Sequence, residues 1–246
     1  MYKGKKIAAM IPARKGSKGI PNKNIIQLNG LPLIAHSIIQ AKKSSFIDKI
    51  IVSTDSEEIK KIAENYKVDV KGLRPEELAN DTAIMYDVIK YEIANHQLIE
   101  NGFEIIVLLQ PTSPLRQTYM IDDAIMKFID ENQESAVSVS EVEEHPIFMR
   151  TINENMQLEK LLNVDSTIRR QDLPKYYKVN GMIYINRILD IFENYTSLND
   201  NLYPIIIPKG YDIDIDDMDD LIEAEKRMVK YSSELNEHTV STEKGK

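Results

Sequence analysis

Short apolar runs recur along this chain with stretches of helical period between them: KKIAAMI (5–11), KIIVSTD (49–55), EIIVLLQ (104–110) and SAVSVSEV (135–142). Few folds accommodate that rhythm. A buried strand followed by an amphipathic helix and a second buried strand makes a parallel βαβ unit, and its repetition predicts an α/β three-layer domain with a mostly parallel sheet. Pro32 opens the first helix, whose Ile34, Ile38 and Ala41 share a face. Further helices are predicted near 56–66, 83–97, 118–131 and 217–232, with additional strands near 68–72, 203–208 (YPIIIP) and 212–216 (DIDID). Between Glu143 and about Asn199 the rhythm breaks into short polar turns and the run KYYKVNGMIYINR, where Val179, Met182, Tyr184 and Asn186 give no single apolar face. This stretch reads as an inserted arm within one domain spanning 1–234, followed by a polar tail, 235–246.

Charge is unevenly placed. No Asp or Glu precedes Asp48, so the first 47 residues carry +9 while the whole 246-residue chain carries −8. An acidic protein with a basic opening presents that region to something anionic, and a small phosphorylated ligand suits so local a patch better than nucleic acid, since the basic segment has no interleaved aromatics. The absence of cysteine excludes disulfides, thiol nucleophiles and thiolate metal sites. The longest apolar runs are too short to cross a bilayer or to serve as a signal-peptide core, so a soluble, cytoplasmic protein without a membrane partner is expected.

The segment after the first strand, Arg14 to Asn24, lies where open α/β sheets contact phosphate. Gly16 and Gly19 permit tight turns, and Arg14, Lys18 and Lys23 supply charge-assisted bonds to phosphate oxygens. The spacing matches neither the P-loop nor the dinucleotide fingerprint. Near the other end, extended alternation would place Asp212, Asp214 and Asp216 on one side and Ile213 and Ile215 toward a core. Adjacent carboxylates repel one another unless a cation joins them, and oxygen ligands favour Mg²⁺, with Mn²⁺ as a substitute. Asp214 and Asp216 are therefore the candidate metal ligands, whereas Asp217, Asp219 and Asp220 fall in a helix's first turn, where acids complement the dipole. His36, in an apolar helical stretch, reads as a packing residue.

Six segments occur together and in order: IPARKGSKGIPNKN (11–24), IIVSTD (50–55), LRPEELANDTA (73–83), LLQPTSPLR (108–116), NGMIYIN (180–186) and DIDID (212–216). In these the chain resembles the CMP-sialic acid synthetase (acylneuraminate cytidylyltransferase) family, including its CMP-legionaminic acid type members, over roughly residues 5–230. The resemblance implies a Rossmann-like nucleotidyltransferase fold, a homodimer joined through the arm, and transfer of CMP from CTP, with Mg²⁺, to the anomeric hydroxyl of a nonulosonic sugar, releasing pyrophosphate. It also implies that Arg14, Lys18, Lys23 and Asn24 bind the nucleotide with Arg74 near the base, that Gln110, Arg170, Asn180 and Tyr184 face the sugar, and that Asp214 and Asp216 hold the metal. Asp216 is the expected proton acceptor, with Asp214, Arg14 and Lys23 completing the catalytic set.

There are departures from the family pattern. Lys15 stands where relatives commonly have a small or polar residue, Met85 where some have a serine near the base, and Lys178 where an arginine is typical; EEHPIFMR (143–150) lacks a lysine that some relatives send across the dimer. Lysine offers a point charge where arginine offers a fork, so these changes bear on the sugar. A 3-deoxy-manno-octulosonate cytidylyltransferase shares the IPAR start but is disfavoured by the KNxxxLxG stretch at Lys23 to Gly30, and a non-catalytic nucleotide-binding relative is disfavoured by retention of both aspartates.

Overall fold

The computed structural model describes residues 1–243 apart from Lys18, Asp69, 165–166 and 194–196, with the side chains of 170, 193 and 232–243 left aside. A central sheet holds six strands: β1 (Lys6–Pro12), β2 (Lys49–Ser53), β3 (Phe103–Leu108), β4 (Ser135–Glu141), β5 (Tyr177–Arg187) and β6 (Tyr203–Ile206). Their spatial order is β6-β4-β5-β3-β1-β2. Strand β1 runs parallel to β2 and β3, β6 runs parallel to β4, and β5 alone is antiparallel, wedged between β3 and β4. Helices α1 (Leu33–Lys43), α2 (Glu57–Asn65), α3 (Met85–Asn95), α4 (Thr118–Asp130), α5 (Asp190–Glu193) and α6 (Met218–Glu243) surround it.

The two faces of the sheet bury separate cores, one with Ile7, Ile11 and Val107 against α1 and α4, the other with Ala8, Met10 and Ile106 against α3. Residues 7–11 of β1 are wholly buried, which is why that strand is uniformly apolar. Helix α2 begins where Ser56 Oγ accepts from Ile59 N at 3.4 Å, and α1 begins directly after Pro32, as each sequence signal predicts. Among the described residues no helix is long and apolar enough to cross a membrane.

Four expectations need correction. Among the described residues of the predicted strand at 68–72, namely 68 and 70–72, no strand forms: Val68 and Val70 are buried, but two valines are too few for a ladder, and Gly72, at φ +139, turns the chain away. The run at 212–216 forms no strand and joins no sheet, yet its alternation survives, with Ile213 and Ile215 buried and Asp214 and Asp216 exposed. The predicted arm, 143–199, contains strand β5, the sheet's antiparallel member. That strand hid itself because Asn180 through Asn186 are buried on both faces, and because a register shift opposite Val137–Val139 breaks its period. The excursion proper is 143–176, with a ribbon of Arg150–Ile152 and Leu158–Lys160. Helix α6 also continues through residues predicted as tail.

Candidate active site

Parallel strands β1, β2 and β3 end on the same edge, so the segments following them converge there. After β1, Asn22 at φ +55 turns the chain into the 3-10 turn Lys23–Ile25, and Asn24 Nδ2 donates to Arg14 O at 2.9 Å, closing the loop on itself. Asp55, beyond β2, accepts from Lys15 N at 2.7 Å. Arg14 Nη1 lies 2.7 Å from Asp81 Oδ1, while Lys23 Nζ donates to Ile215 O at 2.6 Å and to Asp216 Oδ1 at 2.9 Å. Two cations of the loop are thus already paired with carboxylates from distant parts of the chain. Lys18 lies outside the described residues.

The loop and the acidic run behave as one unit. Ile20 packs with Leu28, Leu33, Leu115, Ile213 and Ile215 in a third, small core. A Cβ added at Gly19 would lie 2.0 Å from Asp216 O, so the loop backbone rides on the acidic run with no room for a side chain. On the other side, Ile215 N donates to Thr112 O at 2.8 Å, tying the run to the turn after β3.

The carboxylates near this turn have distinct settings. Partial desolvation raises the Asp214 pKa; a hydrogen bond from Thr112 and the charge of Lys23 oppose that, and Asp216 and Asp220 add to it. Burial alone would raise Asp212 too, but a hydrogen bond from Ser140 and the nearby Lys178 ammonium, 3.5 Å away, hold it below the usual carboxylate range. Asp217 Oδ1 accepts from Asp219 N and Asp220 N at 2.9 and 3.0 Å, so it caps α6 from just before the helix instead of lying in its first turn as expected.

Arg74 is buried near the basic loop. Its Nε and Nη2 donate to Ser53 Oγ and O at 3.0 and 2.8 Å, and Nη1 to Leu78 O at 3.4 Å. Burial lowers its pKa, against the opposing charges of Glu92 and Asp55. Most of its fork therefore fixes the end of β2 and the 75–79 segment.

Beside the acidic run lies a cavity of ≈470 Å³ lined by Ile84, Met85, Gln110, Tyr184 and Asn199, among others. Tyr184 OH donates to Asn199 Oδ1 at 2.9 Å, and burial, followed by the charge of Asp214, raises its pKa. Gly181, at φ +71, lets Gln110 reach past β5: a Cβ there would meet Gln110 Oε1 at 2.5 Å. Asn180 stands one residue away but turns inward. Its Oδ1 accepts from Ser138 Oγ at 2.6 Å and Met182 N at 3.2 Å, and its Nδ2 donates to Ser140 Oγ at 3.0 Å. It secures the irregular stretch of β5 that seats Gln110. Arg170 belongs to a 3-10 turn in the excursion, and its side chain lies outside the description.

The sequence reading passed over Arg116. It is 1% exposed and donates from Nε to Met182 O at 2.8 Å, from Nη1 to Ser37 Oγ at 2.9 Å, and from Nη2 to Gln110 O. Burial pushes this guanidinium down to about 9, which leaves it charged at neutral pH. Asp81 and Thr112 were also missed, although both lie inside the recognised segments 73–83 and 108–116.

At this α/β edge a basic loop meets two neighbouring carboxylates, with a cavity beside them. A cytidylyltransferase family model matches residues 8–234, and the chain belongs to that family. It is 36% identical over 215 residues to the N-acylneuraminate cytidylyltransferase of Streptococcus agalactiae, an alignment covering 87% of this chain and 51% of that protein; the chain spans about half the length of that relative. It is 37% identical over 237 residues to the CMP-N,N'-diacetyllegionaminic acid synthase of Legionella pneumophila, covering 96% of this chain and 99% of that one. Among solved structures, CMP:2-keto-3-deoxy-manno-octonic acid synthetase complexed with CTP matches with a TM-score of 0.67 over 92% of this chain and 99% of that one; at 16% identity the likeness is one of fold.

Proposed function

We propose that this chain transfers CMP from CTP to the anomeric hydroxyl of a nonulosonic sugar and releases pyrophosphate. The observation that carries this is the docking of the basic loop on the acidic run, through Lys23, Gly19 and Ile20, beside the cavity that holds Gln110 and Tyr184. A legionaminate-type sugar is the favoured substrate, because the relative that matches end to end is a CMP-N,N'-diacetyllegionaminic acid synthase. N-acylneuraminate is the second reading, from a relative about twice as long.

In this reading Arg14 and Lys23, with Lys18, take the triphosphate, exchanging Asp81 and Asp216 for phosphate oxygens. Arg74 shapes the wall against which the base lies. Gln110 and Tyr184 orient the sugar so that its hydroxyl lines up with the α-phosphorus opposite the leaving pyrophosphate. Asp216 accepts the hydroxyl proton, and the basic loop holds the charge that gathers on the pyrophosphate.

Asp214 and Asp216 would hold the divalent ion. Among the described residues no three carboxylates or histidines gather into a protein cage, which suits Mg²⁺, a cation usually held by one or two carboxylates together with substrate phosphates and water. When bound, the ion supplies neutralisation of phosphate charge and a lowered pKa for the attacking hydroxyl. The excursion exposes Ile152, Met156 and Leu158 on its ribbon, and this apolar strip supports a homodimer formed through the arm.

The test is pyrophosphate release with CTP and Mg²⁺ against N-acetylneuraminate, legionaminate, pseudaminate and 3-deoxy-manno-octulosonate, each product confirmed by mass. Preference for a nine-carbon acid supports the reading, and turnover of 3-deoxy-manno-octulosonate alone refutes it. Asp216→Asn is expected to abolish release while CTP still binds; wild-type turnover by that variant would remove Asp216 from the mechanism.

A further inference from the structure

The ammonium of Lys23 is placed unusually for a phosphate ligand. Its side chain is 13% exposed, whereas that of its partner Asp216 is 77% exposed, so the lysine is the enclosed member of the pair and the aspartate the open one. The stem rises from a 3-10 turn, and two of its three possible bonds go to Ile215 O and Asp216 Oδ1. Its charge also acts on Asp214. One monovalent cation thus serves both carboxylates that the proposed function assigns to a divalent ion.

We infer that Lys23 is a built-in stand-in for the divalent ion, neutralising the Asp214 and Asp216 pair in the nucleotide-free protein and giving up Asp216 Oδ1 when the ion and the triphosphate arrive together. A dication on that same oxygen would stand within about 5 Å of the ammonium, so ion and lysine compete for Asp216 until phosphate draws the lysine away. The lysine keeps its bond to Ile215 O as a pivot and re-aims by one donor. Because the coupling between two ligands is reciprocal, the competition makes metal and nucleotide each assist the other's binding. It also keeps the site from filling with a divalent ion before a nucleotide is present. This inference rests on the reading of Asp214 and Asp216 as metal ligands.

The experiment titrates Mn²⁺ into nucleotide-free protein at low salt and follows the free ion by electron paramagnetic resonance, with circular dichroism as the check on folding. Lys23→Gln removes the competing charge and is expected to bind Mn²⁺ about tenfold more tightly than wild type, while Lys23→Arg, which keeps the charge, stays near wild type. The gain should vanish in the Lys23→Gln, Asp214→Asn double variant. Equal or weaker Mn²⁺ binding by a folded Lys23→Gln protein overturns the inference alone, as does a gain that persists in the double variant. Absence of Mn²⁺ binding in wild type and Lys23→Gln alike overturns the metal reading of the two aspartates and this inference with it.

Discussion

Gly19→Ala isolates the link between the basic loop and the acidic run. The added Cβ would lie 2.0 Å from the carbonyl oxygen of Asp216, a backbone atom that no side-chain rotation can clear. A carbon and an oxygen need about 3.3 Å, so loop and run must separate by about 1.3 Å. Displacements of that size between reacting groups cost about 10²-fold in rate, or about 2.7 kcal/mol of barrier. Folding should suffer little, because Gly19 is exposed and Ile20, the loop's apolar anchor, is retained. The expected result is a kcat about 10²-fold below wild type with a melting temperature within about 4 °C. Pyrophosphate release at saturating CTP and sugar, beside a thermal melt, measures both. Gly16→Ala, whose Cβ meets nothing within 4 Å, should lose at least about tenfold less. A Gly19→Ala enzyme within about threefold of wild type, or one no worse than Gly16→Ala, would refute the claim that the contact sets the catalytic geometry.

Two further perturbations follow from buried groups. Arg116→Met removes three charge-assisted hydrogen bonds, to the buried Met182 O and Ser37 Oγ and to the part-buried Gln110 O, and should cost about 3–5 kcal/mol in urea unfolding, with Arg116→Lys intermediate because it keeps the charge but not the fork. His36 has its pKa lowered by burial, against a hydrogen bond with Leu28 O, so the unfolded chain takes up the proton first. Its contribution to stability is complete above the unfolded value of 6.5 and is lost as pH falls below it. Melting temperatures between pH 7.5 and 5.5 should therefore fall less steeply in His36→Gln than in wild type, and parallel slopes would argue against the assignment.

Five of the six sheet strands could be read directly, because each carries an apolar run that its neighbours bury. Strand β5 could not: burial on both faces removes its alternation, and the irregular stretch at Gly181 breaks what remains. The acidic run shows the reverse case, since its alternating burial was legible even though no strand forms there; apolar residues 213 and 215 need a core beneath them, not a ladder beside them. Within the site, Arg14 and Lys23 stood out in the basic opening of an acidic chain, and the aspartates by their alternation with isoleucine. Arg116 was opaque because what allows its burial is a set of acceptors 6, 66 and 79 residues away, an arrangement no local pattern encodes. Asn180 was legible as important but not in its direction, which is set by Ser138 and Ser140 on the adjoining strand.

Placing the aspartates proposed to bind metal on a coil instead of a strand demands a substitute for the ladder, and the structure supplies anchors of different character. Ile213 and Ile215 are buried with Ile20, Leu33 and Leu115, at about 1.5–3 kcal/mol for each such side chain, and these contacts are indifferent to ligands. Ile215 N adds a backbone bond to Thr112. The second anchor is polar: Lys23 holds Ile215 O and Asp216 Oδ1. Apolar burial fixes where the run lies, while the ion pair fixes only its charge state and can be traded for another cation without disturbing the first. A strand would have locked both together. The coil separates position from charge, so Ile215→Ala is expected to weaken stability and turnover together, whereas Lys23→Gln should alter metal and nucleotide binding with the fold intact.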